Sequence, residues 1–105
     1  MSFRLLLQDI ADWQTTTFPK ADTTSKLHHL KEEVQELIDA VEEGDPVKIE
    51  KEFADCFLLL FGAADCRGFG WSSIKEIMRN KLDINKLRSW GLPDQNGVVH
   101  HIKTT

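Results

Sequence analysis

The chain has 105 residues, 41% of them hydrophobic and 29% charged, with a formal net charge of -4 and an isoelectric point near 5.5. This size predicts one domain, residues 1–105, with a modest core that favours association with further copies. The acidity excludes a general binder of nucleic-acid polymers. The longest apolar run, Phe53 to Ala64, is broken by Asp55 and falls short of the roughly 20 residues that span a bilayer, so no membrane segment is expected.

The N-terminus lacks the apolar stretch and small-residue cleavage site of a secretion signal, and a cytoplasmic protein is expected. Ser2 is a plausible cap for a first helix carrying Phe3, Leu6, Leu7, Ile10 and Trp13 and ending near Thr16. The Thr-rich stretch Thr15 to Ser25 reads as a loop. Leu27, Leu30, Val34, Leu37, Ile38 and Val41 then mark an amphipathic second helix that stops at Gly44. Asp45-Pro46 caps and starts a third helix almost at once, which sets the two helices antiparallel.

The third helix is expected to run to about Arg67, and Gly68-Phe69-Gly70 separates it from a fourth. That fourth helix is predicted to begin at Ser72 or Ser73, with Glu76 completing a capping box, and to end at Gly91-Leu92-Pro93. The helical core is therefore placed at about residues 3–91, followed by an irregular tail, 92–105, with a turn at Asn96-Gly97. Cys56 and Cys66 lie too far apart along one helix to bridge, at roughly 15 Å, and read as buried thiols. The third helix is apolar nearly all round, so it calls for burial in a larger bundle.

Asp55 interrupts that apolar helix, with Glu52 one turn before it. An ionised carboxylate in apolar surroundings is ordinarily paired, protonated or bound to metal. Glu33 and Glu36 repeat the same i, i+3 spacing on the second helix, so a helical hairpin can bring two carboxylate pairs together. A solvated acidic face is the plain alternative for the second helix, and a neutral hydrogen-bonded aspartate for Asp55. Four carboxylates with no His at ligand spacing suit a hard cation, Mg²⁺ or Mn²⁺, which points to phosphate chemistry. His29, one turn before Glu33, is close enough to approach such a site. Downstream, Lys81, Asn85 and Arg88 share a helical face that could hold phosphate oxygens.

Glu32-Glu33-Val34-Gln35-Glu36, followed after a gap of fifteen residues by Glu52-Phe53-Ala54-Asp55, resembles the signature of the MazG-type all-α nucleoside triphosphate pyrophosphatases. The first helix with Trp13, the Phe18-Pro19-Lys20 loop, the Gly-Asp-Pro junction and the segment through Lys81, Asn85, Arg88 and Trp90 are similar too. The resemblance implies an all-α, four-helix MazG-like bundle completed by oligomerisation as a homodimer or homotetramer, in a compact single-domain member. It implies Mg²⁺-dependent cleavage of nucleoside or deoxynucleoside triphosphates between the α and β phosphates, in a house-cleaning role. Glu33, Glu36, Glu52 and Asp55 match the metal ligands, and the catalytic carboxylates come from Glu32, Glu33 and Glu36, with Glu32 or Glu36 as base. Lys81, Asn85 and Arg88 would hold the substrate phosphates and Trp13 would stack on the base. Phosphoribosyl-ATP hydrolysis and a non-catalytic helical interaction module are the alternatives.

Overall fold

The computed structural model describes residues 2–103 as four helices, α1 (Phe3–Thr17), α2 (Thr23–Glu43), α3 (Pro46–Cys66) and α4 (Trp71–Leu87). No strand occurs among the described residues, and none of their helices is long and apolar enough to cross a membrane. Ser2 caps α1 by accepting from the Leu5 amide. The connection to α2 is shorter than the Thr-rich composition suggests. Asp22 and Ser25 form a reciprocal capping box, so α2 absorbs Thr23, Thr24 and Ser25, while Thr15 to Thr17 complete α1. A tertiary contact supports this start: the Thr23 hydroxyl donates to the Ala63 carbonyl at 3.0 Å.

Gly44 closes α2 in the left-handed conformation, with φ 79°. Asp45 accepts from the amides of Val47 and Lys48, and Pro46 opens α3. The two-residue junction folds α2 and α3 into the expected antiparallel hairpin, and α1 packs against α3. The start of α4 corrects the sequence reading. Gly70 accepts from the Ile74 amide at 2.9 Å, so the first turn begins at Trp71 and leaves Ser73 and Glu76 inside the helix. Phe3 meets both Phe61 and Trp71 edge-on, at 5.7 and 5.4 Å between ring centres.

The chain divides into two compact units, one up to Ile74 and the other from Lys75 onward. In the second unit α4 ends at Leu87 rather than Gly91. The Asn85 carbonyl takes the Arg88 amide at 3.2 Å and the Trp90 indole N–H at 3.0 Å, which turns the chain out of the helix. The tail then folds back instead of running irregularly. Gly91 donates to His100, Ile102 donates to Ser89, and Trp90 pairs with His101 in an antiparallel bridge. Asp94 organises the intervening turn by accepting from the Asn96 and Val98 amides, with Gly97 at φ 78°.

Few apolar side chains are enclosed among the described residues: Leu7, Ala40, Ala63 and Ile74 form the buried set. Phe53, Phe57 and Leu60 leave one side of α3 open, at 45%, 56% and 49% exposure. Cys66 is exposed and Cys56 half-buried, so the expectation of two buried thiols fails at Cys66, which lies at the end of α3.

Candidate active site

The hairpin sets Glu33 and Glu36 of α2 opposite Glu52 of α3. One carboxylate oxygen from each lies within 4.8 Å of the others. Glu52 is half-buried, not fully exposed, and its Oε2 is buried without a hydrogen-bond partner. Such an oxygen represents an unmet demand for a proton or a cation. Glu33 is held largely protonated near neutrality. Its hydrogen bond with Glu36, its burial and the nearby Glu52 push its pKa up from 4.5 to about 8. His29, one turn before Glu33, places Nε2 3.3 Å from Glu33 Oε1.

Asp55 departs from the buried position its apolar neighbours suggest. It is exposed, as are the flanking Phe53 and Phe57. Its carboxylate stands outside the close triad but lines a neighbouring cavity together with Glu33. Glu32 is exposed and outside the triad. Burial raises the Cys56 thiol pKa, and the charges of Glu33, Glu52 and Asp55 add to the shift, so this cysteine stays protonated beside the site.

The cavity encloses about 490 Å³ between α1, α2 and α3. Trp13 lies in its wall, 57% exposed, with its indole edge-on to Phe18 at 5.4 Å between ring centres. Gln14, Lys26 and His29 also line it. Sequence reasoning missed Gln14, which donates through Nε2 to the Leu58 carbonyl at 2.9 Å, and Lys26, which is 7% exposed. The available signal for Lys26 was its seven-residue separation from Glu33, which returns a helix to nearly the same face.

Lys81, Asn85 and Arg88 belong to the second unit. Lys81 and Arg88 are exposed, whereas Asn85 is half-buried with Oδ1 lacking a partner. Because α4 stops at Leu87, Arg88 follows the helix instead of extending its face. His101 joins this group: partial burial lowers its pKa, followed by the charges of Arg88, Lys103, Lys81 and His100.

A family model described as dATP/dGTP pyrophosphohydrolase matches residues 6–105. The chain belongs to that family. A cyanophage S-2L protein named dATP/dGTP diphosphohydrolase is 33% identical to it over 97 residues, covering 92% of this chain and 85% of the relative. A solved structure of a cyanophage S-2L MazG-like pyrophosphohydrolase bound to dGDP and three catalytic Mn²⁺ ions per active site is 30% identical. It covers 100% of this chain and 97% of its own, with a TM-score of 0.78. This family member is therefore an enzyme, a nucleotide pyrophosphohydrolase of MazG-like all-α fold. The non-catalytic interaction module is set aside.

Proposed function

We propose that the enzyme hydrolyses the purine deoxynucleoside triphosphates dATP and dGTP between the α and β phosphates, releasing the monophosphate and pyrophosphate. The observation that carries this reading is the convergence of three carboxylates, one with an unpartnered buried oxygen and one with its pKa raised to about 8. That donor set fits hard divalent cations, since carboxylates so close together ionise jointly only when a positive charge is supplied. Glu33, Glu36 and Glu52, joined by Asp55 from the cavity wall, would hold Mg²⁺ or Mn²⁺. When bound, such cations neutralise the triphosphate and acidify water.

The remaining work falls to side chains. Water oxygen attacks the α-phosphorus while the bond to the bridging oxygen of the β-phosphate breaks, and Glu32 or Glu36 accepts the water proton. Trp13 offers an aromatic face to the base. Lys81, Asn85 and Arg88 are proposed to hold phosphate oxygens through charged and amide donors. The open α3 face around Phe53 and Phe57 supports a homodimer or homotetramer, and clearance of the cytoplasmic deoxynucleotide pool is the role proposed for it.

Pyrophosphate release from dATP, dGTP, dCTP, dTTP and dUTP, with Mg²⁺ and with Mn²⁺, tests the proposal. The expected products are dAMP or dGMP with pyrophosphate, abolished by Glu52→Gln. Release of orthophosphate, or incorporation of isotopically labelled water oxygen into pyrophosphate rather than the monophosphate, would overturn it.

A further inference from the structure

We propose that Lys26 reads the purine base, donating from its ammonium to ring atom N7 of adenine and guanine and also to O6 of guanine. This rests on the substrate class proposed above and names the group that would select it. Lysine is almost never buried without a partner. Lys26 is 7% exposed, yet its side chain makes no hydrogen bond or ion pair among the described residues. It lines the cavity beside Trp13, Phe18 and Ser25.

Position along α2 separates this group from the metal ligands. Lys26 precedes Glu33 by seven residues, about 10 Å along the axis and nearly two turns, so both lie on one helical face. His29, between them, pairs with Glu33. Lys26 is thus left uncommitted in the cavity that Trp13 and Phe18 also line, about 10 Å along α2 from Glu33. With the triphosphate drawn to the carboxylates, the nucleoside falls toward Trp13, Phe18 and Lys26.

The chemistry of the edge sets the preference. An ammonium only donates. Guanine presents N7 and O6 as acceptors, adenine presents N7 beside a donating amino group, and cytosine presents a donor on the corresponding edge. One cation therefore favours guanine, with two acceptors, over adenine and over thymine or uracil, which offer one each, and disfavours cytosine.

The test is a binding titration in Mn²⁺ with dGDP and 7-deaza-dGDP, in which a C–H replaces N7, on the wild-type protein and on Lys26→Met. Wild type is expected to bind the deaza compound roughly tenfold more weakly, in line with the loss of one good base contact. Lys26→Met should bind both equally and more weakly than wild type binds dGDP, and Lys26→Arg should restore part of the difference. Equal wild-type affinity for the two ligands overturns the proposal and does not require any variant to fold. A deaza penalty that persists in Lys26→Met overturns it too, by assigning N7 to another residue. A phosphate contact would weaken both ligands alike, with wild type indifferent to N7. Failure of pyrophosphate release from dGTP would reject the reaction assigned above and leave this binding comparison intact.

Discussion

Gln14 and Gly62 share one space: a β-carbon at position 62 would collide with the Gln14 carboxamide, whose Nε2 donates to the Leu58 carbonyl. The glycine near the C-terminal end of α3 is what allows α1 to approach closely enough for that bond. Gly62→Ala gains up to about 1 kcal/mol of helix propensity. Overpacking a buried position costs about 1–3 kcal/mol and displaces Gln14 as well, so net destabilisation is expected. Urea denaturation at fixed protein concentration checks this, and Gln14→Ala in the same chain should recover part of the loss.

Glu33 makes the metal-free protein sensitive to alkali. Between its ordinary value of 4.5 and about 8 the folded chain keeps a proton that the unfolded chain has lost. Stability therefore falls as pH rises through that window. Thermal melts in chelator should show a declining midpoint from about pH 5 to about pH 8, and added Mn²⁺ should flatten the decline, because the cation replaces the proton. A midpoint that rises over this range without metal would contradict the raised pKa.

Glu33→Gln should separate stability from function. Removing one of three crowded carboxylates relieves repulsion, so the metal-free variant melts no lower than wild type at about pH 8. Its stabilisation by Mn²⁺ and its pyrophosphate release should both fall at least about tenfold, as expected when a ligand of a hard cation becomes a neutral amide. Melting curves with and without Mn²⁺ provide the comparison.

The stacked pair Phe53 and Phe57, 6.2 Å apart and both exposed, predicts self-association through α3. Phe57→Asp should shift sedimentation equilibrium toward monomer and lower the melting temperature. An unchanged mass for the folded Phe57→Asp protein would show that α3 is not the main contact.

The two cysteines should differ in reactivity. Cys66 is exposed, while burial and surrounding carboxylates keep Cys56 protonated. Alkylation followed by peptide mass analysis should modify Cys66 first at neutral pH.

Much of this site was legible in local sequence. Gly44-Asp45-Pro46 specifies the end of one helix and the start of the next, so the helices that carry the Glu33/Glu36 and Glu52/Asp55 pairs had to form an antiparallel hairpin. In the Thr-rich segment the Asp22 and Ser25 capping box outweighs the poor helix propensity of threonine, so the helix starts earlier than composition suggests. At the other end, the Gly91 signal lost to the capture of the Asn85 carbonyl by Trp90, a contact no periodicity encodes.

Sequence by itself determined the order of the helices, the antiparallel hairpin and the carboxylate spacing, because capping and the helical repeat act between residues a few positions apart. Tertiary structure alone decided that Glu33, Glu36 and Glu52 converge while Asp55 stands in the cavity wall, and that Lys26 is buried with no side-chain hydrogen bond or ion pair among the described residues. Those outcomes depend on how each helix rotates about its own axis against residues distant in the chain. That rotation is set by packing, such as Gln14 against Gly62, which no single segment contains.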